Sequence, residues 1–460
     1  MRFARIRGQK AANRLVRAGG SNLILPSKDL ATLPDPDFRA FLRGDLRTTT
    51  GYVRWRRNSE ATYRAANGDI QVASPNVARF QTMNDGIIGI LMEPEVTNIL
   101  PYGEKPGDSN WFVGQGTFVE DAHTSPDGAV TATEAWANNT FGVNSTRLTA
   151  ESFISGDTYT FSAYVGMVGA TNNEWHRLNV NISGTNFRQY FNVRTGEIGT
   201  NEGTAAVNPF SEGPDSRGYY RIGFSFEAND TATATPELRQ SNADGDALTD
   251  VASPGNGQKW WGAQVENFTQ ATSVIITSGA TAQTRVEDSG LGPAITRTSN
   301  TLGAFSYSVE LLAGGAQAIA SGGRTAFLDS ALTTYCLFSD GGGGSYPDGD
   351  FQSNAGAGGG SMVTGISTPG GRVESFCWTY DASKSGTFPG EKRYAWINGN
   401  KYQRANDPPN DDTFTAWPAS TGFIVGPFLP GSTLPCIARD FQWWPELSDD
   451  QAEYLSRGNL

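Results

Sequence analysis

Three stretches keep a period of two so strictly that they settle the fold class. In "DTYTFSAYVGM", Tyr159, Phe161, Ala163 and Val165 share one face, and Thr160 and Ser162 the other. Residues alternating in this way lie on opposite sides of a pleated strand, one row dry and the other wet. "WHRLNVNIS" sends His176, Leu178, Val180 and Ile182 inward, and Trp175, Arg177, Asn179 and Asn181 outward. "YYRIGFSFEA" places Tyr220, Ile222, Phe224 and Phe226 on one face. Strands with one buried and one solvated side belong to antiparallel sandwiches. Long helical patterns are scarce, and 55 Gly and 23 Pro in 460 residues supply the turns that short strands need. The expectation is an all-β chain: two antiparallel β-sandwich (jelly-roll) domains in series behind an extended basic N-terminal arm.

The boundaries follow from where the alternation starts and stops. Residues 1–95 read as an attachment arm with short helices and strands. "QKAANRLVRAGG" is expected to form a short helix ended by Gly19 and Gly20. "DPDFRAFLRG" offers Asp35 as N-cap, Pro36 at the first helical position and Gly44 as a stop. Asn67-Gly68 is a hairpin signal between two extended pieces. "GILMEPEVTNIL", residues 89–100, then closes the arm; Pro94 lacks the N–H that a central strand would need. Residues 96–290 form the first sandwich and residues 291–460 the second. In the second, "FSYSVEL" sets Phe305, Tyr307, Val309 and Leu311 against Ser306, Ser308 and Glu310. Its end, "PELSDDQAEYLSRGN", is a helix whose Ser448 and Gln451 form a capping box, with Asp449 and Asp450 in the first turn.

Charge is divided unevenly. Residues 1–57 hold 13 Lys or Arg against 4 Asp, whereas the whole chain carries a net charge of −12. A basic arm on an acidic body suits either nucleic acid or an acidic protein surface. The arm has no interleaved aromatics and no nucleic-acid motif, so no specific nucleic acid is expected. The start has no apolar run of about 7–15 residues and the sequence no apolar stretch of about 18, so neither a signal peptide nor membrane insertion is expected. Three cysteines, Cys336, Cys377 and Cys436, show no CxxC spacing and read as buried thiols rather than a disulfide framework or zinc site.

"GILMEPEVTNIL" also resembles a segment of bacteriophage tail-fibre and minor structural proteins that leads into a carbohydrate-binding-module-like sandwich. "NSEATYRAANGDIQVASPNVARF" resembles the strand pair before it. "TYTFSAYVG", "RGYYRIGFSF" and "KWWGAQVENFTQATSVIITSGATAQTR" resemble the later strands and exit of that sandwich. The likeness covers roughly residues 55–288. "VESFCWTYDASK", "EKRYAWINGNKY", "GFIVGPF" and "IARDFQWWPELSDDQAEYL" resemble, in that order, a laminin-G/concanavalin-A-like jelly roll, with Asn398-Gly399 as a turn. These resemblances imply a virion location and a homo-oligomeric appendage, of fibre or capsid-decoration type, that attaches to a host surface glycan. They also imply docking of the N-terminal region onto other virion proteins, capsid or tail, for which Arg2, Arg5, Arg7, Lys10, Arg14 and Arg17 are the candidate residues.

Catalytic signals are thin. His176 faces the core and His123 lies in the turn-rich "EDAHTSPDG". "NADGDALTD" fails the register of a calcium loop, because Gln240 and Val251 would occupy its first and last ligand positions. Neither a phosphate-binding loop nor a GxSxG elbow occurs. No enzyme, cofactor or metal is expected, with a polysaccharide-degrading enzyme or a stand-alone lectin as alternatives. Glycan contacts are expected at Trp175 with Arg177 and Asn179, which share the wet face, and at Trp111 and Trp417 in loops. Trp260, Trp261, Trp378 and Trp396 are expected in the core.

Overall fold

The computed structural model describes most of residues 38–291 and, between 304 and 457, the strands and the terminal helix. The described chain is almost entirely β, and its one helix is Asp449–Ser456. The helix expected in "QKAANRLVRAGG" lies outside the described residues.

The first sandwich is built from the alternating stretches. Thr158–Val168 lies between Tyr219–Glu227 and Gly257–Glu266 at the centre of an eight-stranded antiparallel sheet. Opposite it, Thr185–Asn192, Trp175–Ile182, Glu237–Ser241, Ser145–Arg147 and Phe112–Val113 make a five-stranded sheet. The inward rows expected from sequence meet in one core: Tyr159, Phe161, Ala163 and Val165 pack with Leu178, Val180 and Ile182, and with Tyr220, Ile222, Phe224 and Phe226.

The large sheet is buried on its other face as well. A hairpin, Ala61–Arg64 with Ile70–Ala73 around Asn67-Gly68, and the segment 271–277 lie over that face. Tyr164, Tyr219 and Trp261 therefore enter a second cluster with Ile70 and Val274. Adjacent tryptophans can both be buried because the strand bulges there. Gly262 adopts φ +62°, the register against Thr158–Val168 shifts between Ser162 and Tyr164, and Trp260 and Trp261 serve opposite cores.

The segment 88–98 joins this sandwich to the last region. Ile88–Met92 pairs with Cys436–Trp444, whereas Val96–Asn98 pairs with Gln283–Arg285 and touches the Gly257–Glu266 strand. Glu93 and Pro94 lie at the crossing. Glu93 is fully buried among Arg79 (Nη1 2.6 Å), Arg285 (Nη1 3.2 Å) and Ser273, whose N–H and hydroxyl both donate to it. Asp288 completes the cluster by pairing with Arg57 and Arg79. Pro94 has no N–H to satisfy, and its carbonyl accepts from Arg285. Asn98 uses its whole side-chain amide: it donates to Ala263 and Ile275 carbonyls and accepts from the Leu100 and Val265 N–H groups. The two buried polar residues that make "MEPEVTN" look wrong for a core, Glu93 and Asn98, are paired there, as buried polar groups must be, and Glu95 is exposed.

Two sheets make up the remainder. One runs Asn400–Tyr402, Arg393–Ile397, Val373–Tyr380, Ala304–Leu311, Cys436–Trp444, Ile88–Met92 and Arg79–Thr82, with Phe38–Ala40 also on Cys436–Trp444. The other holds Arg54–Arg56, Ser289–Leu291, Phe423–Pro427, Arg324–Asp329, Thr334–Ser339, Asp350–Ala355 and Gly360–Met362. Residues read from sequence as an attachment arm thus contribute strands to both. The helix expected from Asp35 is not formed over Phe38–Ala40, which extends along Phe441–Trp443 instead; an open sheet edge outweighs weak capping signals. The row Ser306, Ser308 and Glu310, expected wet, is buried. Trp444 Nε1 donates to Ser306, and the Ser308 and Ser375 hydroxyls bond each other. Asn398 and Gly399 (φ 48° and 83°) make the two-residue turn, and the Ser448–Gln451 capping box starts the helix. Cys377 and Cys436 are buried.

Candidate functional site

The outer face of the five-stranded sheet carries rows of polar side chains placed by strand register. Arg177 stands between Tyr190 and Arg239, Asn179 between Arg188 and Glu237, and Trp175 between Asn192 and Ser241. Neighbouring strands lie about 4.8 Å apart, so side chains in one row are within reach of each other. Asn179 Nδ2 donates to Glu237 (2.8 Å), and its Oδ1 accepts from Arg188 Nε (2.7 Å). Arg239 pairs with the same Glu237 carboxylate at 2.5 Å. Arg177 donates to Tyr190 Oη (3.2 Å) and Glu202 (3.1 Å), and the Tyr190 hydroxyl donates to Glu202 (3.0 Å). Burial, together with the Glu202 carboxylate that accepts its proton, pushes the Tyr190 hydroxyl up to about 12 against the opposing Arg177 charge. Tyr190 is a fixed donor at neutral pH.

Period two gave the direction of these side chains correctly and their exposure wrongly. Arg177 and Asn179 point outward yet are only 2% and 3% exposed. Long neighbours in the same rows cover them, and the segment 197–204 folds back along Thr185–Asn192 to bring Glu202 over Arg177. Trp175 is half-buried: Gly199 and Asp244 pack against its indole, and any Cβ at position 199 would collide with both. Asp244 is held there by the N–H and hydroxyl of Thr200. Trp111 does not sit in an exposed loop. It is 2% exposed in the core, because it directly precedes the Phe112–Val113 strand and its large apolar ring turns inward. Trp260, Trp261 and Trp396 are buried as expected. Trp417, the Trp378 side chain, and Arg2, Arg5, Arg7, Lys10, Arg14 and Arg17 lie outside the described residues.

Arg188, Tyr190, Glu202, Glu237 and Arg239 were not singled out from the sequence, although a signal for two of them existed. "NISGTN" is a tight hairpin in which Ile182 pairs with Thr185, with Ser183 and Gly184 at positive φ. Alternation through "TNFRQYFN" then puts Asn186, Arg188, Tyr190 and Asn192 beside the Trp175 row. Glu237 and Arg239 arrive from a distant strand that local pattern does not locate.

The face suits a polyhydroxylated ligand. Arg188 and Arg239 are partly exposed donors, Asn181 is exposed, and Asn186 and Trp175 are half-exposed at its margin. Guanidinium and amide groups already held by carboxylates are oriented donors, and an aromatic edge beside them offers an apolar contact. The histidines add no reactive group to this face. His176 is fully buried, its Nδ1 bonds Gln258 at 2.7 Å, and burial lowers it to about 4 despite that bond. His123 lies 3.1 Å from Glu134 on another sheet. Among the described residues, no group of three or more His, Cys, Asp and Glu side chains is placed to hold a metal ion, and no helix is long and apolar enough to cross a membrane.

No family model matches the sequence. No curated protein matches it. Among solved structures, the chain is similar to the full extracellular region of zebrafish Gpr126/Adgrg6, at 9% identity and a TM-score of 0.23, covering 76% of this chain and 37% of that one. It is also similar to the N-terminal CBM22-1-CBM22-2 tandem domain of Paenibacillus barcinonensis Xyn10C, at 9% identity and a TM-score of 0.22, covering 78% of this chain and 98% of that one. Likeness at this level carries no argument about function.

Proposed function

We propose that the chain is a bacteriophage virion appendage protein, of fibre or decoration type, whose first sandwich binds a host surface glycan. The observation that carries the glycan half is the ordered polar face of Arg177, Asn179, Arg188, Tyr190, Glu237 and Arg239, with Trp175 at its edge. The virion half rests on the sequence resemblance of residues 55–288 to phage tail-fibre and minor structural proteins. In this reading the basic segment 1–57 docks the chain onto a capsid or tail protein, and the appendage is a homo-oligomer.

The test is binding of the full chain to polysaccharide stripped from host cells. Arg188→Ala combined with Arg239→Ala removes two partly exposed charged donors, each worth about 1.5–3 kcal/mol when it bonds a ligand. Binding by the folded variant should fall by about tenfold or more, and its melting temperature should fall too, because buried Glu237 loses Arg239 and buried Asn179 loses Arg188. Equal binding by a folded double variant would remove this face from the site. Mass spectrometry of purified particles tests the virion half separately. A fixed copy number relative to the major capsid protein is expected, and absence from particles would leave a stand-alone lectin as the reading.

A further inference from the structure

A second polar cleft lies away from that face, between the two sandwiches. It encloses about 340 Å³ where the Ala61–Arg64 hairpin strand meets Tyr164, Glu212 and Arg221 on one side and Gln81, Leu91 and Glu310 on the other. A volume of this order matches a small ligand rather than a single solvent molecule. Arg221 is the central group. It is 6% exposed, its Nη2 donates to the Thr272 carbonyl (2.5 Å), and its guanidinium lies 5.7 Å over the Tyr164 ring. Its Nε has no hydrogen-bond partner among the described residues, although it is buried. An unpaired buried donor costs about 1–3 kcal/mol, and the residue that carries it lines the cleft.

The lining decides the class of ligand. Two arginines, Arg64 and Arg221, face two glutamates, Glu212 and Glu310. A carboxylated or phosphorylated ligand would gain from the first pair and be repelled by the second. Gln81 and Thr82 add neutral donors and acceptors, the Thr62 and Ser273 hydroxyls are already engaged by the Val274 carbonyl and Glu93, and Ile70, Leu91 and Val274 supply an apolar wall. Charge balance, paired donors and acceptors, and one apolar side together fit a neutral sugar with its ring face and its hydroxyls.

We propose that this cleft is a second saccharide site, which takes one or two residues of a neutral glycan and is separate from the outer face of the five-stranded sheet. The two sites lie on opposite sides of the first sandwich, the cleft against the outward side of its eight-stranded sheet.

Isothermal titration of the full chain is the test, using neutral trisaccharides built from glucose, mannose, galactose or xylose, with trigalacturonate as the acidic comparison. The protein carries Arg188→Ala and Arg239→Ala, so that the outer face contributes little. At least one neutral trisaccharide should bind saturably and more tightly than trigalacturonate. Thr82→Trp, at the exposed rim, places an indole in the cleft without removing a buried contact and should weaken that binding at least tenfold. Arg221→Met should do the same if it folds; if it does not, Thr82→Trp alone gives the reading. Saturable binding of none of the neutral sugars, binding that Thr82→Trp leaves unchanged, or tighter binding of trigalacturonate would each overturn the proposal.

Discussion

Glu93 is the residue on which the junction depends most. Burial alone would raise its carboxyl, but Arg285 and Arg79 beside it and two hydrogen bonds from Ser273 bring it down to about 2. The folded state therefore binds this proton less readily than the unfolded chain, whose carboxyl has the ordinary value of 4.5. The stabilisation is fully present above that value and is lost as pH falls towards 2, amounting to roughly 3 kcal/mol across the window. Glu93→Gln keeps the shape but leaves Arg79 and Arg285 without that charge. Losing one partner of a buried pair costs about 3–5 kcal/mol. Urea unfolding at pH 7 should show a loss of that size, and the variant should lose less further stability than the wild type between pH 5 and 2.5. Parallel pH profiles for the two proteins would show that the pairing contributes nothing. His176 adds an earlier, separate slope to both proteins, because its depressed value makes the folded state weaker as pH falls from about 6.5 to 4. Trp175 stands at the other extreme. Gly199 packs against its indole, which remains partly exposed.

Turns and caps legible in the sequence were those with a local cause. The Asn398-Gly399 turn needs positive φ at both positions, and Gly399 has Arg457 Nε only 2.6 Å from where a Cβ would stand. Gly399→Ala should cost about 1 kcal/mol for the backbone alone and more for displacing Arg457. Differential scanning calorimetry reads this as a lowered melting temperature, and an unchanged one would mean that the turn tolerates another conformation. Alternation likewise fixed the inward rows from Tyr159 to Val165 and from Leu178 to Ile182. It misled where a second layer covers the outward row. Tyr164 and Trp261 lie beneath the hairpin around Asn67-Gly68, and Arg177 beneath Glu202. Direction is a local property of a strand, whereas exposure depends on what later folds across it. Phe38–Ala40 failed for a related reason, since its partner strand lies about 400 residues further along the chain.

Across the whole molecule, long-range pairing ties the described N-terminal strands to the end of the chain. Ile88–Met92 and Phe38–Ala40 both lie on Cys436–Trp444, and Arg439 reaches Asp85. A fragment of residues 291–460 would expose the strand edge at Cys436–Ala438 and leave Arg439 without Asp85. Such edges pair with other chains. The fragment should aggregate or remain unfolded by size exclusion and circular dichroism, whereas residues 35–460 should fold. The longer product also isolates docking: folded but missing from particles is the expected outcome, and normal incorporation would place the anchor elsewhere. The glycan-binding reading is tested most directly by hydrogen–deuterium exchange of the full chain with and without saturating host polysaccharide. Slowed exchange in residues 175–192, 194–205 and 237–241 is the expected result. Polysaccharide that binds while leaving those segments unchanged would contradict it.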